Sequence, residues 1–241
     1  MNTEFQIREN GFAEIKKAMI IKTIPIVILA AGTGLSISYF NTNVQSNDVN
    51  VLPFVIPIII GALAFGLFKG INRQKGLFES YKLIINENEI IREQNNTQTI
   101  SIPHNEIKSI IRNPKGILTI VGNSNTEIIG VPFQINNSEK LEQILSQIKP
   151  ITYSDKKPLA EKYKGLLILL MLGLMASVYI SKDKLVVGIT GTILILILSY
   201  SFYEGRRNKN IDKKTKNGMW WLILVLLSVI GNMYFKLTGK I

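Results

Sequence analysis

Cysteine is absent from this chain of 241 residues, and histidine occurs once, as His104. The first absence excludes disulfide frameworks, thiolate metal sites, thiol nucleophiles and a lipidated cysteine anchor. The second excludes a paired-histidine metalloprotease motif and leaves His104 as the sole imidazole for any triad. Ser101, Glu106 and Asp155 stand at no recognisable spacing from it, so a surface or packing role is the reading for His104. Acids are also scarce: 17 Asp and Glu face 28 Lys and Arg, for a net charge of +11. No aromatic interleaving or recognised motif accompanies that excess, so no nucleic-acid partner is expected.

Charge is missing, too, from the long apolar runs. The chain is 46% hydrophobic and 19% charged, with a mean hydropathy of +0.22, which together require that the two residue classes be segregated. Apolar blocks occupy residues 23–40, 51–68, 165–180, 185–203 and 219–235. At 1.5 Å per residue most approach a hydrocarbon core of about 30 Å, so five transmembrane helices are the simplest count. Apart from Lys22 at the edge of the first block, no ionisable residue lies within an apolar core. Proton-coupled transport, intramembrane aspartyl proteolysis and voltage sensing all need such groups. Small and hydroxyl residues remain, spaced by four on single helix faces: Ala30 and Gly34, Ala62 and Gly66, Gly188 and Thr192, Ser228 and Asn232. That spacing suits close helix packing, with a polar channel lining as the alternative.

Basic residues orient the spans. Residues 41–50 carry Asp48 and no base, which puts them outside. Lys69, Arg73 and Lys75, then Lys156, Lys157, Lys162 and Lys164, then Arg206, Arg207, Lys209, Lys213, Lys214 and Lys216 belong inside. The organisation expected is a cytoplasmic tail over 1–17, a two-span hairpin over 18–69, a cytoplasmic domain over 78–151 and three spans over 164–236. The tail carries Glu4, Glu9 and Glu14, unlike a signal-peptide n-region, and cleavage is not expected. The segment from Lys236 onward would end outside. The last basic set is the candidate contact for anionic lipid headgroups, worth about 1 kcal/mol per residue near the surface. Topology alone also accounts for it.

From about residue 80 the periodicity shifts to two. Tyr81–Ile85 and Glu89–Glu93 read as a hairpin about Asn86-Glu87-Asn88, and 97–102 as an alternating strand. A segment marked by Ile107, Ile110 and Ile111 ends at Asn113-Pro114-Lys115-Gly116. A second hairpin, 117–121 with 126–131, turns about Gly122-Asn123-Ser124-Asn125. Asn137-Ser138 then reads as the cap of a helix over 139–148 with Leu141, Ile144, Leu145 and Ile148 on one face.

In Tyr81-Lys82-Leu83 leading to Glu89-Ile90-Ile91, in Ile100-Ser101-Ile102-Pro103-His104-Asn105-Glu106-Ile107 and in Ile128-Ile129-Gly130-Val131-Pro132-Phe133, the chain resembles the bacterial pleckstrin-homology-like domains that occur attached to membrane spans. The resemblance implies a partly open antiparallel barrel with a C-terminal helix at one end, a fold used for interaction far more than for catalysis. Eukaryotic relatives of that fold bind phosphoinositides through basic residues around the first hairpin loop. Here that turn carries Glu87 and Glu89, which repel phosphate.

These features predict a non-enzymatic, multi-pass protein of the cytoplasmic (inner) membrane, its N-terminus cytoplasmic, whose inserted α+β domain mediates protein interaction or regulation. The partners implied are membrane lipids, an unidentified membrane or cytoplasmic protein, and a second copy in a homo-oligomer. No cofactor, metal or catalytic residue is expected. A small oligomeric transporter or channel gated by the domain is the alternative. A lipid-acting enzyme has less support, since Glu204 and Asp212 stand among bases in no known catalytic arrangement.

Overall fold

The computed structural model describes residues 2–41, 52–124, 126–154 and 162–239. The candidate outer loop around Ser46 and Asp48, and Asp155, Lys156 and Lys157, lie outside the described residues. The chain divides into two units, each assembled from three separate segments. Met1–Ala18, Gly70–Lys157 and Gly205–Gly218 form one, and Met19–Lys69, Pro158–Glu204 and Met219–Ile241 form the other.

The first unit holds two four-stranded sheets and a helix. Strand β1 (Thr3–Gln6) precedes two long helices, α1 (Gly11–Asn41) and α2 (Leu52–Glu79), and β2 (Lys82–Ile85), β3 (Glu89–Glu93) and β4 (Ile100–Pro103) follow them. These strands make an antiparallel sheet in the order β1-β2-β3-β4. A 3-10 turn at His104–Glu106 leads to β5 (Ser109–Arg112), β6 (Leu118–Val121) and β7 (Ile128–Val131). Helix α3 (Ser138–Ile148) then returns the chain to β8 (Ile151–Tyr153), and the second sheet runs β7-β6-β5-β8, with β8 parallel to β5. A single bridge, Ile7 to Ile135, joins β1's extension to the segment before α3, and the strand pairings close no barrel.

Alternation builds the core. Ile90, Ile100, Ile102, Ile110, Ile120 and Ile129 are fully buried from both sheets, and Leu141 and Leu145 of α3 meet them. Each such side chain contributes about 1.5–3 kcal/mol of burial. The turns follow side-chain chemistry. Asn86 Oδ1 accepts the backbone N–H groups of Asn88 (3.1 Å) and Glu89 (2.8 Å), an Asx turn. Asn113 Oδ1 does the same for Lys115 and Ile117, while Gly116 takes φ 76, where a Cβ would be strained.

Four expectations for this unit change. Residues 1–17 are not a free tail, because Thr3–Gln6 pairs with Lys82–Ile85 and α1 already starts at Gly11. The strand expected at 97–102 is Ile100–Pro103, since Thr97 is drawn into a turn where its hydroxyl donates to Gln94 O. Asn137 does not cap α3 with its side chain. It sits in the left-handed region at φ 46, turning the chain out of the contact in which Asn136 exchanges hydrogen bonds with the backbone of Gln6. The domain boundaries 78–151 are too narrow, as the unit also takes in β1, the end of α2 and residues 205–218.

In the second unit, α4 (Lys164–Ile180), α5 (Lys184–Arg207) and α7 (Trp221–Thr238) pack through Leu174 and Val178, Leu194 and Leu198, and Val229. A short helix, α6 (Lys213–Gly218), precedes α7 and belongs to the first unit. At Gly191 a Cβ would overlap the Met233 side chain, so the small residue lets α5 and α7 approach. Four helical stretches, Gly11–Phe40, Ile56–Glu79, Lys184–Arg207 and Lys213–Thr238, are long and apolar enough to cross a membrane. α4 is apolar but has 17 residues. None of the apolar stretch of α1 or α2 is buried, and Ile28, Ile58 and Phe65 are more than 60% exposed. A helix apolar all round and uncovered by protein is matched to lipid.

Lys236 falls within α7 and not in a terminal tail. Its Nζ donates to the carbonyls of Val178 (3.1 Å), Tyr179 (2.6 Å) and Ser181 (2.9 Å), capping the C-terminal end of α4 with a cation where the helix dipole is negative.

Candidate functional site

The polar chemistry of the first unit converges on an arginine in the core. Along β3 the inward positions are Ile90 and Arg92, so the alternation that buries isoleucine also buries a guanidinium, which is 1% exposed. Among the described residues no carboxylate pairs with it. Its Nη1 donates to Gln94 Oε1 (3.1 Å) and Thr97 Oγ1 (2.7 Å), and its Nη2 to Lys209 O (3.4 Å) and Asn210 Oδ1 (3.1 Å). A buried cation held only by neutral oxygens is costly, and burial lowers its pKa from the ordinary arginine value. Arg92 Nε and the hydroxyl of Tyr81, the residue just before β2, are buried with no hydrogen-bond partner among the described residues. Burial raises the Tyr81 phenol above its usual range, against the pull of Arg92.

Half of Arg92's partners come from the segment between α5 and α7. Asn210 uses both ends of its amide: Oδ1 accepts from Arg92, and Nδ2 donates to Ile128 O on β7 at 2.9 Å. Because one end meets a donor and the other an acceptor, this contact fixes the amide's orientation. Lys213 N donates to Asn96 O at 2.7 Å. A second arginine, Arg73 on the last turns of α2, pairs with Asp212 and donates to Thr215 Oγ1 at 2.6 Å.

Asp212 is the hub of the loop. Its Oδ1 accepts the backbone N–H groups of Lys214 (3.0 Å) and Thr215 (3.1 Å), capping α6, and its Oδ2 accepts the Thr215 hydroxyl at 2.6 Å. At 6% exposure, burial pushes its carboxyl up, but the bonds from Thr215 and the Arg73 guanidinium outweigh burial and hold it below the usual aspartate value. Beside this hub lies an open recess of about 300 Å³ bordered by Gln74, Phe78, Gln94 and Ile211.

The candidate lipid-contact residues sit on this loop. Arg206 and Arg207 end α5 and are exposed, with Arg206 Nη1 donating to Lys216 O at 3.2 Å. Lys213 and Lys214 are exposed, whereas Lys209 and Lys216 are half-buried. Burial, then the charge of Arg206, lowers the Lys216 ammonium's pKa. The loop is therefore two-sided, with Asn210 and Asp212 turned to the protein and most of its bases turned away. Sequence reasoning singled out the bases, counted Arg73 only as one of them, and missed Arg92, Asn210 and the role of Asp212. A signal existed in the arginine at an inward register of an alternating strand.

The remaining candidates stay apart from this site. His104 lies on the 3-10 turn with its Nε2 buried and without a hydrogen-bond partner among the described residues, beside a separate recess of about 450 Å³ that includes Glu87 and Ile148. Thr190, Thr192 and Ser177 donate to carbonyls four residues back in their own helices. Ser228 is hydrogen-bonded to Tyr179 at 2.6 Å, linking α7 to α4. These hydroxyls are engaged in hydrogen bonds within a helix or between two. Among the described residues no three His, Asp or Glu side chains gather as a metal site. No protein-family model, curated protein or solved structure matches this chain.

Proposed function

We propose that this chain is a five-span protein of the cytoplasmic membrane whose soluble unit, a pleckstrin-homology-like module, recognises polypeptide segments and regulates a membrane process without catalysis. The carrying observation is what the module does with its buried polar groups. Arg73 and Arg92 are engaged with a distant loop of protein, Arg92 with Asn210 and Lys209, Arg73 with Asp212 and Thr215. Among the described residues neither an acid nor a hydroxyl meets the Nε2 of the one imidazole, which favours interaction over acid–base chemistry.

Strand pairing supports the span count. β1 pairs with β2, so the residues flanking the α1–α2 hairpin share one side of the membrane. Asn96 and Arg92 bond to Lys213 and Asn210, so the segments flanking α4 and α5 share it too. Each pair of helices then makes an even number of crossings, which favours counting α4 as a span although it is only about 26 Å long. Basic residues near the ends of the spans favour the cytoplasmic side for the soluble unit.

Two experiments on the full chain test the proposal. In the cysteine-free background, Ser124→Cys should resist a membrane-impermeant maleimide in intact cells and react after permeabilisation. Labelling in intact cells would refute the orientation. A photo-crosslinking residue at exposed Phe133 or Tyr153 should trap a discrete protein adduct in growing cells. Only uncrosslinked monomer at both positions would sink the interaction role.

A further inference from the structure

Asn210 and Asp212 meet the soluble unit as a ligand meets a receptor, and not as one part of a core meets another. Core elements of this unit join through buried isoleucine and leucine. The loop joins through polar groups: the Asn210 amide, the Asp212 carboxylate, the Thr215 hydroxyl and the Lys213 N–H. Its one large apolar residue, Ile211, is only half-buried at the recess. The receiving groups are held independently of the loop. Gln94 Nε2 donates to Leu77 O at 2.8 Å, the Thr97 hydroxyl donates to Gln94 O at 2.9 Å, and Asn95 N donates to Ser80 Oγ at 3.0 Å. The end of α2 and the β3–β4 turn thus preorganise Arg92, Thr97 and the Asn96 carbonyl before the loop arrives.

We propose that the surface formed by Arg73, Arg92, Asn96 O and Ile128 O is a recognition site for a polar protein segment carrying an amide and a carboxylate two residues apart, and that residues 208–215 occupy it as a tethered, autoinhibitory ligand. This rests on the reading of the soluble unit as an interaction module and names what it recognises. Arg92 selects an oxygen acceptor and Ile128 O a donor from the same group, and a carboxamide supplies the two on separate atoms, as Asn210 does. Arg73, two-fifths exposed or less, takes the carboxylate with a charge-assisted bond. The occupant is continuous with α5 and α7, so its local concentration is on the order of millimolar. An outside segment of the same chemistry therefore binds only when the loop lets go, and loop release is transmitted directly to the two helices it connects.

The test uses the full chain in nanodiscs of zwitterionic lipid and a fluorescent peptide with the sequence of residues 207–216, followed by anisotropy. The wild-type chain should bind the peptide at least tenfold more weakly than the Asn210→Ala/Asp212→Ala chain, whose own loop is disarmed while Arg73 and Arg92 remain. A peptide with alanine in place of Asn210, of unchanged charge, should lose that preference. Hydrogen exchange supplies the control for folding: the double variant should gain exchange over 208–216 while the β2–β3 hairpin stays protected. Equal binding by both chains, or equal binding of the two peptides, overturns the proposal. If crosslinked adducts form in cells but the peptide does not bind the variant, this site fails while the interaction role stands. If the peptide binds and no adduct forms, the tethered ligand stands and the outside partner fails.

Discussion

Isoleucine has opposite duties in the two units. In the soluble unit Ile90, Ile100, Ile110 and Ile120 are completely buried, each taken from alternate positions of a strand. In the membrane unit Ile28, Ile58 and Ile189 are more than 60% exposed on the outsides of helices. The same side chain is driven inward by water in one unit and tolerated outward by lipid in the other, so packing holds the first together and the bilayer supports the second. Polar groups reverse in the same way. On the strands most polar side chains take the outward positions, with Arg92 the buried exception, whereas in the helical unit Tyr179, Ser228 and Lys236 join α4 to α7.

The sharpest way to break this comparison is to shorten isoleucine in both units. Ile120→Ala should destabilise the soluble unit by about 2–5 kcal/mol, whereas Ile58→Ala should change stability by less than about 0.5 kcal/mol, as read by pulse proteolysis of the full chain in detergent. Similar losses at both sites would mean that α2 is covered by protein. Next in size is Lys236→Met, which strips three carbonyls at the end of α4 of their donor and should cost about 1–3 kcal/mol in a detergent thermal melt. An unchanged melt would mean that the cap is replaced by solvent. Gly191→Ala, overlapping Met233, should cost about 1 kcal/mol, while Gly61→Ala in open space should be neutral or stabilising in the same assay.

The smallest effect concerns acid. Asp212's carboxyl is held below its ordinary 3.8, so its contribution to loop docking is complete above that value and is lost as pH falls through the lower folded-state value. Exchange over 208–216, corrected for its intrinsic pH dependence, should stay constant from pH 8 to 5. Asp212→Asn should raise it and remove the acid response. Loosening near neutral pH in the wild-type chain would count against Asp212 as the hub.

Much of the fold is legible because each solvent leaves a periodic mark. Period two revealed β2, β3, β6 and β7, and the apolar face of Leu141 and Leu145 revealed α3. Uninterrupted apolar runs revealed the long helices. What stayed hidden depends on partners far along the chain. Thr3–Gln6 is too short to carry a period and is a strand only because Lys82–Ile85 lies beside it. Residues 151–153 owe their strand to parallel pairing with β5. At the candidate site the bases of 206–216 were conspicuous by composition, yet the residues that dock are Asn210 and Asp212. Their significance comes from Arg92 and Arg73, more than a hundred residues earlier.

The two interruptions of the soluble unit impose an order on biogenesis. When β1 leaves the ribosome its partner β2 does not exist, and two apolar helices must be delivered before the pair can zip together. The unit then waits again while α4 and α5 are made, because Asn210 and Asp212 are translated only after them. Arg92 thus spends that interval without its last two acceptors, and on the proposed topology the loop docks only when α4 and α5 have been threaded as a pair. A chain misinserted by one crossing would strand Asn210 across the bilayer from Arg92 and leave an open, polar mouth for quality-control proteases to find.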